Sequence, residues 1–91
     1  MVYIVRCADG TLYTGIAKDV ARRLDEHNSS RLLAARYTRA RRPVVLVYRE
    51  ITATRSTASK REYEIKQMTR PEKEALLLVN ARRRKGRRVR L

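Results

Sequence analysis

The sequence predicts an α+β domain: a three-stranded antiparallel sheet flanked by helices, in the order strand, strand, helix, strand, helix, helix. Three observations carry this prediction. Two short β-branched and aromatic runs, Val2 to Cys7 and Thr11 to Thr14, flank the turn signal Ala8-Asp9-Gly10. A third run, Val44-Val45-Leu46-Val47-Tyr48, follows Pro43 and is the clearest strand in the chain. The remaining segments open on helix N-terminal signals at Asp19, Ser56 and Thr69.

Loop length in the first hairpin decides which side chains share a face. A two-residue Asp9-Gly10 turn would set Arg6 opposite Tyr13 and put Tyr3 and Tyr13 on opposite faces. A three-residue Ala8-Asp9-Gly10 loop, with Gly10 left-handed in a bulge, would set Val5 opposite Tyr13 and bring both tyrosines to one face. The first strand is apolar almost throughout, so it is expected to be buried on both faces, with the single Cys7 as a small buried hydrophobe.

After Gly15, Asp19 caps a helix in which Val20, Leu24 and His27 follow helical spacing. Arg23 and His27 are four apart and are neighbours on its surface. Asn28-Ser29-Ser30 ends it. Residues 31–42 hold five arginines, one tyrosine and no acid, and are expected to form a loop. Ser56 is the expected cap of a second helix from about Thr57 to Met68. Thr69-Arg70-Pro71-Glu72 is a capping box with proline in the first turn, so a third helix starts there. Its crowded apolar residues, Ala75 to Val79, are expected to be largely buried, and Tyr48 and Tyr63 to be core. From Ala81 onward seven of eleven residues are Lys or Arg, which predicts a mobile or marginally helical basic C-terminal arm (81–91) on a folded body (1–80).

Ninety-one residues bound the chain to one domain with one thin core. Twenty-three Lys and Arg against nine Asp and Glu give a net charge of +14, which points to a polyanionic partner, nucleic acid above all. No segment approaches the roughly 20 apolar residues of a spanning helix, so no membrane role is expected and the location predicted is cytoplasmic. No small-molecule cofactor is implied, and a monomer is the expected state. With no Trp or Phe and five Tyr, tyrosine is the one aromatic available for packing, stacking or proton transfer.

Tyr3 in the first strand and Tyr13-Thr14-Gly15 in the second resemble the two signature elements of the GIY-YIG nuclease superfamily. Ile16-Ala17-Lys18-Asp19, then Arg22-Arg23-Leu24 and His27, are similar to its next helix. Arg36-Tyr37-Thr38-Arg39 with Arg42-Pro43 and Val47-Tyr48, then Arg61 to Lys66, resemble its small single-domain branch. The likeness runs from residue 2 to about residue 78. Met1-Val2-Tyr3 stands where Gly-Ile-Tyr would, and Ile16 stands where excision-repair members carry lysine. Lys18 matches the lysine of a Gly-x-Ala-Lys-Asp pattern instead.

The resemblance implies a metal-dependent endonuclease that hydrolyses phosphodiester bonds by direct attack of water, with DNA favoured; single-stranded or branched DNA would suit a small exposed site better than an intact duplex. The chemistry needs an activated water, neutralised phosphate charge and a stabilised leaving oxygen. Tyr3 or Tyr13 would act on the water, if nearby cations lower a phenol pKa near 10. Arg23 would grip the phosphate, His27 would assist there, and Glu62 would bind one divalent ion, Mg²⁺ or Mn²⁺. Glu62 also lies four residues after Ala58 and three before Ile65, on the apolar stripe of its helix, where a carboxylate is rarely left without purpose. Lys18, Arg36, Tyr37, Arg39, Arg41 and Arg42 are the expected nucleic-acid contacts, since arginine holds phosphates and tyrosine stacks on unpaired bases.

Each of these residues has a plainer role open to it. The two tyrosines could only pack, Arg23 could pair with Asp19, His27 could favour the helix end, and Glu62 could pair with Arg6 or Arg23. On that view the chain would be a non-catalytic DNA- or RNA-binding protein on the same fold.

Overall fold

The Ala8-Asp9-Gly10 loop takes the three-residue form. The Cys7 N–H donates to the Thr11 carbonyl at 2.8 Å, the Gly10 N–H donates to the Cys7 carbonyl at 2.9 Å, and Gly10 has φ of 85°. Only glycine adopts that left-handed backbone without a steric cost. The Asp9 carboxylate accepts from the Thr11 N–H at 3.1 Å and from its hydroxyl at 2.6 Å, which braces the turn. Strands β1 (Val2–Arg6) and β2 (Leu12–Ile16) therefore pair with Val5 opposite Tyr13 and Tyr3 opposite Gly15.

The computed structural model describes residues 1–30 and 33–89, with 80–89 described by their backbone. Arg31 and Leu32 of the expected binding loop, and residues 90–91 of the expected arm, lie outside the described residues. Helix α1 (Val20–Ser29) follows β2, then a short helix α2 (Arg36–Arg39), strand β3 (Val45–Glu50), and helices α3 (Arg55–Gln67) and α4 (Arg70–Val89). The sheet order is β2-β1-β3 with both pairings antiparallel, so β1 is central.

Alternation along β1 splits the core in two. Val2 and Ile4 pack with Tyr48 on β3, Ala58 and Ile65 on α3 and Leu77 on α4. Tyr3, Val5 and Cys7 pack on the other face with Val20 and Val44. Both faces of β1 are thus covered, as its unbroken apolar run requires, and each fully buried apolar side chain contributes about 1.5–3 kcal/mol. Cys7 is buried, as expected.

The helix ends follow side-chain chemistry. The Asp19 carboxylate accepts from the Arg22 N–H at 3.0 Å and starts α1. Thr69 and Glu72 form the expected reciprocal box, with the Thr69 N–H donating to Glu72 at 2.8 Å. The cap of α3 is Thr54 and not Ser56: its hydroxyl accepts from the Thr57 N–H at 3.1 Å. Both residues can cap, and Thr54 starts the helix two residues earlier, at Arg55.

Three further expectations are corrected. The segment after Ser30 contains α2, where a loop was expected. Tyr63 is 67% exposed and is not core, because it turns away from the Ala58–Ile65 stripe. Of Ala75 to Val79 only Leu77 is buried; Leu78 and Val79 are 56% and 48% exposed. Five consecutive helical residues at about 100° each sweep more than a full turn, so they cannot share one face. The backbone of residues 81–89 continues α4.

Helix α4 is fastened to the hairpin by charge. Arg6 reaches Glu74 at 2.9 Å, Arg70 reaches the same carboxylate at 2.8 Å, and Arg70 also donates to the Gly10 carbonyl at 2.9 Å. These two guanidinium bonds hold the Glu74 carboxyl down at about 2. Among the described residues no helix is long and apolar enough to cross a membrane.

Candidate active site

One face of the hairpin meets α1 and α2, and the expected catalytic residues Tyr3, Tyr13, Arg23 and His27 gather there. Tyr3 projects from the central strand towards α1 and is almost fully buried. Its hydroxyl lies 2.7 Å from Nε2 of His27, in the last turn of α1. The ring lies across Gly15, its direct cross-strand neighbour: a Cβ at Gly15 would stand 2.6 Å from the Tyr3 hydroxyl oxygen. A glycine is therefore required at this β2 position for space, since its backbone is ordinary.

His27 is wholly buried, and its Nδ1 lies 2.7 Å from the Thr38 hydroxyl on α2. Burial pushes its pKa down to about 4, helped by Arg23 and Arg42 against the opposing Glu26. Tyr3 is pushed the other way, up to about 12: burial raises it most, Arg23 lowers it, and Tyr13 and the Glu62 carboxylate raise it. Both groups are consequently neutral at neutral pH. The expected cation field at Tyr3 exists, but burial outweighs it.

Tyr13 sits on the same face as Tyr3, as the bulged loop requires. Its ring meets His27 edge-on at 5.5 Å between centroids and stacks on Tyr37 at 5.8 Å with 22° between planes. The Arg41 guanidinium lies 4.0 Å from the centre of the Tyr37 ring. Tyr37 and Thr38, consecutive on α2, thus hold Tyr13 and His27 respectively.

Arg23 pairs with Glu26 at 2.9 Å and donates to the Leu33 carbonyl, rather than pairing with Asp19. It stands beside the Tyr3 hydroxyl and influences its proton. Glu62 is half-buried on α3 and pairs with Lys66 at 3.5 Å, not with Arg6 or Arg23. Arg6 is held by Glu74 instead. Glu64 is exposed and leans towards Arg61.

The four arginines expected to contact nucleic acid divide into two groups. Arg36 and Arg39 are exposed on α2. Arg41 is committed to the fold through Asp9 at 3.1 Å and the Tyr37 carbonyl at 2.9 Å, and Arg42 donates to the Ser30 carbonyl. Lys18 is exposed beside a cleft of about 330 Å³ lined by Met1, Ile16, Thr54 and Arg55, none of them among the tyrosine group. Sequence reasoning missed Thr38, whose partner on α1 is eleven residues away, and Asn28. The Asn28 amide brackets Val44, donating to its carbonyl at 3.0 Å and accepting from its N–H at 2.7 Å. The polar Asn-Ser-Ser run marked a helix end and carried no sign of that clamp.

The family model described as the GIY-YIG catalytic domain matches residues 1–75. A UPF0213 protein of Desulfotalea psychrophila is 64% identical over 76 residues, which span 84% of this chain and 68% of that protein. A UPF0213 protein of Staphylococcus aureus is 57% identical over 76 residues, 84% of this chain and 90% of its own length. The solution NMR structure of a UPF0213 protein from Bacillus halodurans is 41% identical, covers 86% of this chain and 81% of its own, and superposes with a TM-score of 0.55. The chain belongs to the GIY-YIG family. That family is one of nucleases, so interaction with nucleic acid follows in general.

Proposed function

We propose that this protein is a metal-dependent endonuclease that hydrolyses phosphodiester bonds in DNA, and that single-stranded or branched DNA is its substrate. The observation that carries this is the Tyr3 hydroxyl: His27 takes a hydrogen bond with it at 2.7 Å, while the charges of Arg23 and Glu62 both act on it. The hydroxyl is thus bonded by one residue of α1 and lies in the field of charges on α1 and α3.

The chemistry follows from the proton inventory. With Tyr3 near 12 and His27 near 4, no standing phenolate forms in the free protein. Tyr3 acts instead as a relay, receiving a proton from the attacking water as it passes its own to His27 Nε2. The hydroxide formed attacks phosphorus and the leaving oxygen departs on the opposite side. An anionic phosphate close to His27 favours the imidazolium that results. Arg23 offers a planar guanidinium to two phosphate oxygens.

Glu62 fits a divalent ion: it is a half-buried carboxylate whose partner is a single, half-exposed lysine, so an oxygen is left for a ligand. Mg²⁺ keeps several waters and commonly takes one or two carboxylates, so one suffices. When bound, such an ion supplies charge neutralisation at the phosphate and the leaving oxygen. Arg36 and Arg39 add affinity that is independent of sequence. A catalytic face on so small a domain suits a strand that can be drawn over it better than a stiff duplex.

Cleavage of labelled single-stranded, flapped and duplex DNA in Mg²⁺ and in Mn²⁺ tests the proposal. Faster cutting of the single-stranded or flapped substrates is the expected result. Faster duplex cutting overturns the substrate preference. Tight binding with no cleavage of any nucleic acid favours a non-catalytic binder.

A further inference from the structure

Hydroxyl and imidazole protons can be counted one by one around His27. The Thr38 hydroxyl is fully buried and lies 3.0 Å from the Ala35 carbonyl and 2.7 Å from His27 Nδ1. A carbonyl only accepts, and a hydroxyl has one proton to give. At the other side of the ring, Tyr3 carries one proton with two neighbours, His27 Nε2 and Arg23, and a guanidinium only donates. Both ends of the chain are satisfied by one arrangement. Nδ1–H of His27 donates to Thr38, Thr38 donates to Ala35, and Tyr3 donates to a bare Nε2. The opposite tautomer would leave the buried Tyr3 proton aimed at a cation and would break the Thr38–Ala35 bond. An unsatisfied buried donor costs on the order of 1–3 kcal/mol.

We propose that Thr38 is a positioning residue for the cleavage reaction: by accepting from Nδ1–H it holds His27 in the tautomer whose bare Nε2 can take the Tyr3 proton. This rests on the endonuclease reading. The placement is supported by the neighbouring residue, since Tyr37 stacks on Tyr13 while Thr38 bonds His27, so α2 orders both ring systems at once. The Ala35 carbonyl also accepts from the Arg39 N–H at 3.0 Å, which ties the Thr38 hydroxyl to the backbone of the same short helix. The charged and titratable groups around the ring are Arg23 and Glu26 on α1, Tyr3, Tyr13, and Arg42 just before β3.

His27 is the one histidine of the chain, so its ring nitrogens are read by ¹⁵N NMR without assignment. The wild type is expected to show a protonated Nδ1 and a bare Nε2 at pH 7. Thr38→Val keeps the shape and removes the acceptor, and should shift the ring towards the Nε2–H form. It should also lower kcat on the order of 10²-fold with KM little changed, while Thr38→Ser restores both tautomer and rate. A wild type that cleaves DNA with Nε2 protonated overturns the role of Thr38 alone, whatever the variants do. Unchanged kcat in a folded Thr38→Val overturns it too. The expected tautomer in a wild type that cleaves no DNA overturns the endonuclease reading, and with it any catalytic consequence of Thr38.

Discussion

Tyr3 and Gly15 face each other across β1 and β2, and the tyrosine ring occupies the space a side chain at Gly15 would need. A β-carbon at Gly15 would lie 2.6 Å from the Tyr3 hydroxyl oxygen and 2.7 Å from the ring carbon that bears it. Tyr3 is buried and has no free side to move towards. Gly15→Ala is therefore expected to push the ring off His27, at a cost of about 1–3 kcal/mol of overpacking. Urea unfolding measures the stability, and loss of the Tyr3–His27 bond appears as a changed His27 titration.

Tyr3→Phe removes the hydroxyl and keeps the ring, so Nε2 of His27 loses its partner. Cleavage should fall by about 10²-fold or more, as removal of a proton-transfer group does. Tyr13→Phe should cost much less, because Tyr13 meets His27 and Tyr37 through its ring. Single-turnover rates of the two variants separate the tyrosines.

The His27 ring sets a pH dependence of stability. Its pKa is depressed to about 4 in the folded protein from an ordinary value of 6.5. Between those values the unfolded chain binds the proton and the folded chain does not, so acid favours unfolding. Stability from this source is complete above about pH 6.5 and is lost as pH falls towards 4, on the order of 3 kcal/mol in all. Glu74, held at about 2 by Arg6 and Arg70, adds a further loss below its ordinary value of 4.5. Thermal melts from pH 7 to 3 check the trend, and His27→Gln should flatten its upper part.

The arginines of α2 and the segment after it should behave differently from one another. Arg36→Ala and Arg39→Ala, both on exposed positions, should weaken DNA binding evenly across sequences and reduce the salt slope by about 1 each. Arg41→Ala should lower stability as well, because Arg41 bonds Asp9, the Tyr37 carbonyl and the Tyr37 ring. Fluorescence anisotropy over a salt series, with melts of the same proteins, distinguishes the two classes.

Much of the fold was legible because its signals are local. Glycine at Gly10 allowed the left-handed loop, and that loop length put Tyr3 and Tyr13 on one face. Asp19 and the Thr69–Glu72 pair read as caps and are caps. What could not be read depends on how elements dock. The apolar run from Ala75 to Val79 says nothing about which of its sides meets the sheet, and Tyr63 looks like any core aromatic until α3 is rotated into place. Thr38 is hidden for the same reason: a threonine among arginines acquires its partner only when α2 packs on α1.

Whether the Glu62 carboxylate serves cleavage is read from one comparison. Wild-type protein and Glu62→Gln are compared in single-turnover cleavage of flapped DNA with Mg²⁺, with DNA affinity measured alongside. Cleavage is expected to fall by about 10²-fold or more in the variant while affinity changes only a few-fold, since the carboxylate serves the reaction and not the grip on DNA. Equal cleavage by the two proteins, or parallel loss of cleavage and binding, would contradict the account.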